Sequence, residues 1–494
     1  MGPRLRLRLA ALLLVLPLQA AVAQERARGP LADILKPYFE TRAGRGTWGA
    51  LVVSLTRGDT LFSWRADHRF LPASNAKLFT TAAALHYLGD DYRFLTVLFA
   101  DGRVSNGELF GDLVLYGTGD PTFALDTAQL APFADSVVRA GIRRVRGDVV
   151  GDASFLGAEL TGPGWSPDNF NEPYAAPPSA LGAAENRIRI EVMPGPRIGT
   201  PAEWRLDPPT DYYHISSVVL TTAPGTRRRI SMRHGGSGGV VELTGSIPVT
   251  SWGWTSWLVV QDPAAFAASL LRSLLEARGV QITGGVRTVT DDAPARAQLM
   301  LERSRGGRDA FRDAIAVRRS APLDDIVSMI NHRSHNLSAE LALRSIGRLT
   351  GGAGTFASGA RLVQQYLTQD VGITPSDVQV TDGSGLSLLD ETTPRALVTL
   401  LMHERRAGGS QAFYRSLPVV GEGITSRMTQ SAANGRLRAK TGTLSGVSAL
   451  SGYVITAGGE ELAFSFIVNQ TPSVTRSRTV QDSLGARLAD WVRY

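Results

Sequence analysis

Pro72-Ala73-Ser74-Asn75-Ala76-Lys77-Leu78-Phe79 leads directly into Thr80-Thr81-Ala82-Ala83-Ala84-Leu85. Ser74 stands at the predicted start of a helix, and Lys77 follows one turn later. Residues three apart share a helix face, so the two side chains can meet. The partial positive charge at a helix N-terminus favours an anionic serine oxygen and a neutral lysine amine. A serine nucleophile with a lysine base needs both. The chain has three lysines, Lys36, Lys77 and Lys440, and otherwise uses arginine. Arginine stays protonated, whereas a lysine amine is tuned by its surroundings. Three lysines still give one Ser-x-x-Lys by chance in about one chain in five, so the motif needs company.

The whole chain bounds the class of answer. Its 494 residues can bury large cores in two or three domains, and 43 % apolar with 20 % charged content is globular. Arg4, Arg6 and Arg8 precede the apolar run from Leu9 to Leu16, then Pro17 and Ala21-Val22-Ala23. This predicts a secretory signal peptide over residues 1–23, cleaved before Gln24, since the run is too short to span a bilayer. There is no cysteine, hence no disulfide and no lipobox for a lipid anchor. No later run has the length of a membrane helix. Net charge is +7, three of those charges being in the signal segment. Scattered arginines beside acids make no nucleic-acid footprint. An exported protein without an integral membrane segment is expected.

After the signal, Leu31 to Arg42 predicts a short amphipathic helix. Trp48 to Leu55 and Thr60 to Trp64 predict a hairpin leading to the Ser74 helix, which glycine caps near Gly89. From about Tyr92 to Arg308 short β-like runs alternate with Gly, Pro and Asp turns. Pro322 to Leu349 predicts one helix with Ser334-His335-Asn336 inside it. Leu437-Arg438-Ala439-Lys440-Thr441-Gly442-Thr443 predicts an edge strand, followed by two more strands and a closing helix from Thr479 to Trp491. The resulting expectation is α+β. A helix-flanked sheet is built from residues 24–95 and 309–494, around a mostly β insertion of one or two domains at residues 96–308.

Three signals thus stand in order: Ser-x-x-Lys at Ser74, Ser-x-Asn at Ser334 and Lys-Thr-Gly at Lys440. Together they resemble the penicillin-binding proteins and serine β-lactamases. The gap from Ser74 to Ser334 is far too long for a β-lactamase. It is similar to that of the class C low-molecular-mass penicillin-binding proteins, the D-alanyl-D-alanine carboxypeptidase/endopeptidase family, which insert extra domains there. Gly119-Asp120-Pro121, Pro163-Gly164-Trp165, Ala176 to Ala180, Asp382 to Ser387 and Lys440 to Gly446 carry the same resemblance. It runs from about residue 30 to the C-terminus.

The resemblance implies a transpeptidase-like domain and a serine-type peptidase of peptidoglycan stem peptides and cross-links, exported to the periplasm and inhibited by β-lactams. Ser74, Lys77, Ser334 and Asn336 are the implied catalytic residues. Lys440, Thr441, Gly442 and Thr443 are the implied binding residues for substrate. Asp168, Asp382 and Arg427 are weaker substrate-side expectations, and Asp382 to Gly385 reads better as a plain turn. No cofactor or metal is expected, and a homodimer is compatible with the family. His335 replaces the Asp or Asn common in the second motif and should point away from substrate. Two other readings stay open: a transpeptidase or β-lactamase on the same scaffold, and a non-catalytic cell-wall-binding scaffold.

Overall fold

The computed structural model describes residues 29–42, 45–235, 239–291, 314–406, 411–421 and 427–493. The expected signal peptide lies outside them, as do the boundary expected at residue 308 and residues 422–426. The chain forms two compact units. The first takes the chain up to Asp90, then Val327–Ala339 and Ala360–Tyr494; the second takes Asp91–Ile326 and Glu340–Gly359.

Four helices bear on the site: α1 (Ala76–Leu88), α2 (Leu323–Arg333), α3 (Asn336–Gly351) and α4 (Val474–Asp490). The first unit is built on an antiparallel sheet of β1 (Thr47–Ser54), β2 (Thr60–Trp64), β3 (Leu437–Leu444), β4 (Val447–Ile455) and β5 (Glu461–Asn469). The strand order is β3-β4-β5-β1-β2, so the lysine-bearing strand β3 is at an edge, as expected. Alternate residues of β1 (Trp48, Ala50, Val52) join Leu450, Phe464 and Phe466 in one apolar cluster. Leu31 and Leu35 of a short N-terminal helix close over it, with Leu484 and Leu488 of α4 and Trp491 beyond its end. Full burial of each such side chain is worth roughly 1.5–3 kcal/mol. The helix Pro394–Arg406 covers the other face, where Tyr453 donates its hydroxyl to the Leu401 carbonyl at 2.8 Å. Covered on both faces, β4 and β5 are buried nearly end to end. They therefore read as apolar runs rather than as alternating strands.

The second unit is mostly β. It holds a seven-stranded sheet centred on Leu95–Ser105 and Glu108–Gly117, and two sheets of three strands. The segment Glu340–Gly359, expected with the helix-flanked sheet, clusters here instead. The buried Arg344 of α3 explains this. It donates to the carbonyls of Leu156, Glu159, Pro178 and Gly354 at 2.5–2.8 Å, fixing that end of α3 within this unit.

Two predicted helices differ from the structure. The closing helix begins at Val474, not Thr479, because Ser473 caps it by accepting the Arg476 N–H. The helix expected over Pro322–Leu349 is two, α2 and α3, broken at Ser334. There φ is +53°, outside the helical region.

Candidate active site

The site lies within the first unit and starts at a tight turn. Ala73–Asn75 form one 3₁₀ turn ahead of α1, and Ala73 has φ +48°, the left-handed region. A non-glycine residue held there costs on the order of 1–3 kcal/mol and needs surrounding structure to hold it. Three contacts supply that structure. Asn75, fully buried, donates its side-chain amide to the Lys440 carbonyl at 3.2 Å. Gly442 approaches so closely that a Cβ there would lie 2.8 Å from the Pro72 carbonyl oxygen. Gly385 presses on the Ala73 carbonyl with no room for a Cβ at all. Ser74 is thereby presented, half-buried, at the head of α1.

Lys77 is fully buried in the first turn of α1. Its Nζ lies 2.8 Å from Ser74 Oγ, 2.7 Å from Asn336 Oδ1 and 2.8 Å from the Ser384 carbonyl oxygen. The last two are acceptors and take two N–H donors. An uncharged amine then has only its lone pair left, and that faces the Ser74 hydroxyl. Thr80 Oγ1 donates to the Gly383 carbonyl at 2.8 Å, binding α1 to the same glycine-rich turn.

The break at Ser334 divides the second motif between two lysines. Ser334 Oγ accepts from Lys440 Nζ at 2.8 Å, while Asn336 serves Lys77. Lys440 also donates to the Thr441 carbonyl at 3.0 Å. Burial, and the Lys77 charge beside it, hold the Lys440 amine well below the ordinary lysine range. His335 turns back along α3: its Nδ1 is 2.7 Å from Ser338 Oγ, and its carbonyl accepts the Ala339 N–H at 3.2 Å. It occupies the N-cap position of α3.

Asp382, expected on the substrate side, is instead fully buried beneath the site. Its carboxylate accepts the backbone N–H groups of Ser384, Gly385 and Ser387 at 3.1, 2.7 and 2.7 Å. A tight turn leaves those donors without backbone partners, and a carboxylate satisfies all three. Asp390, which no motif flagged, is fully buried beside it and accepts the Thr381 N–H at 2.7 Å. Burial and the neighbouring Asp382 charge push the Asp390 carboxyl well above the usual range. Together they set the Ser384 carbonyl that receives Lys77.

Residues 33–490 match the D-Ala-D-Ala carboxypeptidase 3 (S13) family. The chain belongs to that family. It is 35 % identical over 456 residues to the D-alanyl-D-alanine carboxypeptidase of an Actinomadura strain, covering 90 % of this chain and 81 % of that one. It is 25 % identical to the D-alanyl-D-alanine carboxypeptidase DacB of Haemophilus influenzae, covering 85 % of each. The crystal structure of penicillin-binding protein 4 from Haemophilus influenzae superposes with a TM-score of 0.75 at 23 % identity, over 90 % of this chain and 95 % of that one. The fold is thus the α+β fold of the penicillin-binding proteins, and the chain is a serine-type D-Ala-D-Ala carboxypeptidase. Among the described residues no helix is long and apolar enough to cross a membrane.

Within this carboxypeptidase the remaining expected residues fall in different places. Thr441 is half-buried, Gly442 buried and Thr443 exposed on β3. Arg427, expected to face substrate, gives its Nε to Asp482 at 2.8 Å and an Nη to the Arg478 carbonyl at 3.0 Å. Its charge is paired on α4. Asp168 sits exposed on the short turn Pro167–Asn169 of the second unit. Motif reading missed Asn75, the Ser384 carbonyl, Asp390 and Arg478, whose Nη2 donates to Thr443 Oγ1 at 2.8 Å. Asn75 and Ser384 lie inside quoted motifs, so their positions were visible though their partners were not.

Proposed function

We propose that the carboxypeptidase acts by acyl transfer through Ser74. The observation that carries this is the set of three partners around Lys77 Nζ, two acceptors and the Ser74 hydroxyl. In this reading neutral Lys77 takes the Ser74 proton as Oγ attacks the carbonyl of the penultimate D-Ala. The backbone N–H groups of Ser74 and Thr443 receive the oxyanion. The proton returns through Ser334 to the leaving amine, the C–N bond breaks, and an ester on Ser74 remains. Water then adds to that ester and releases the shortened peptide. Asn336 holds Lys77, while the strand that carries Lys440, Thr441 and Thr443 faces the terminal carboxylate.

A peptide cross-link presents the same acyl group with a different leaving amine, so endopeptidase action uses the same step. β-Lactams form the same ester; the Haemophilus penicillin-binding protein 4 has been solved complexed with a β-lactam. The basic, then apolar, then small-residue start of the chain supports export to the periplasm. A homodimer is kept as the assembly to test by light scattering.

The test is release of D-alanine from an acyl-D-Ala-D-Ala peptide by the mature protein, beside Ser74→Ala. Release by the wild type and none above background by the variant is expected. Wall-fragment binding without release by a folded wild type would replace the acyl-transfer reading with the scaffold reading.

A further inference from the structure

Two buried lysines are the cations of the motif set, yet neither is placed as a fixed positive charge for a carboxylate. Lys77 is committed to Ser74, Asn336 and Ser384. Lys440 is fully buried, donates to Ser334 and Thr441, and is held below the ordinary lysine range. A third cation stands at the rim. Arg478 reaches from α4 to β3, and its Nη2 donates to Thr443 Oγ1 at 2.8 Å. No carboxylate among the described residues pairs with it. The neighbouring Arg427 is neutralised by Asp482, and Arg427 also holds the Arg478 backbone carbonyl. Arg478 is half-buried and Thr443 exposed, so a guanidinium with donors to spare and a hydroxyl face solvent together, three residues along β3 from Lys440. An always-charged planar fork suits a carboxylate better than an amine that gives up its proton.

We propose that Arg478, with the Thr443 hydroxyl, binds the terminal carboxylate of the substrate, a role that rests on the acyl-transfer reading above. Arg478 supplies the permanent charge and selects for a free carboxylate next to the leaving amine. Lys440 remains available for the proton traffic through Ser334. Arg427 is a positioning residue: its bonds to Asp482 and the Arg478 carbonyl fix where the guanidinium begins.

The test is steady-state hydrolysis of an acyl-D-Ala-D-Ala peptide by wild type, Arg478→Lys, Arg478→Gln and Arg478→Glu at low and high salt. Arg478→Gln is expected to raise KM about tenfold or more, as for a lost charge-assisted hydrogen bond, with kcat within about threefold. Arg478→Lys should recover part of the loss and Arg478→Glu should deepen it. The gap between wild type and Arg478→Gln should narrow as salt rises. Glutamine can still donate to Thr443, so a merely structural role would leave Arg478→Gln near wild type or make the changes follow stability rather than charge. Either result overturns the proposal. A folded wild type that releases no D-alanine overturns the acyl-transfer reading, and this role with it. An active wild type with an unaffected charge series overturns only the role of Arg478.

Discussion

Lys77→Met is expected to slow acylation of Ser74 by about 10²–10⁴-fold, the usual contribution of a positioned general base. Methionine keeps the length of the side chain and removes its nitrogen. The Asn336 side-chain oxygen and the Ser384 carbonyl then lose a donor, at roughly 1–3 kcal/mol for each group left unpaired. Removing a buried amine offsets part of that, so the variant should fold with a modest shift in Tm. When protonated, Lys77 is also one of the two causes that depress the Lys440 pKa. Its removal should raise that pKa and keep Lys440 protonated to higher pH. Pre-steady-state acylation by a chromogenic β-lactam, followed across pH, measures both effects. A rate within about threefold of wild type would mean that another group takes the serine proton.

Gly385→Ala is expected to damage catalysis from outside the motifs. Gly385 has φ +78°, which alone costs alanine on the order of 1 kcal/mol. The added Cβ would also collide with the backbone carbonyl of Ala73 and meet the Ala76 side-chain Cβ at 3.0 Å, on the two sides of Ser74. Backbone cannot swing aside as a side-chain tip can, so the nucleophile turn must shift. A displacement of about 1 Å in a reacting group costs about 10²-fold in rate. Gly459→Ala is the matched control: φ is +79° and nothing lies within 4 Å of a Cβ there. It should show the backbone penalty in Tm with activity unchanged. Equal losses of kcat/KM in both variants would remove the steric account of Gly385.

The parts legible in the sequence are those fixed by short-range pattern. The β1–β2 hairpin, α1 with its cap at Gly89, and edge strand β3 follow from local spacing. The Ser74–Lys77 contact follows from helix geometry alone. Long-range pairing was not legible: nothing local says that β1 lies between β2 and β5, far apart in the chain. The break at Ser334 was hidden because apolar spacing continues through it from Ile330 to Leu337 and Leu341. A left-handed serine leaves no mark in such a pattern. The role of Asp382 was left between two readings because a carboxylate in a glycine-rich turn reads alike whether it faces substrate or caps buried N–H groups. Only its burial separates the two. Arg427 and Arg478 are two arginines among many, told apart by the single fact that one has Asp482 for a partner.

The most direct test of the central claim is intact mass of the mature protein after incubation with benzylpenicillin, beside Ser74→Ala. A single adduct of the antibiotic's mass on wild type, absent from the variant, is the predicted result. An adduct that persists in Ser74→Ala, or none on a folded wild type, would contradict an acyl-enzyme built on Ser74.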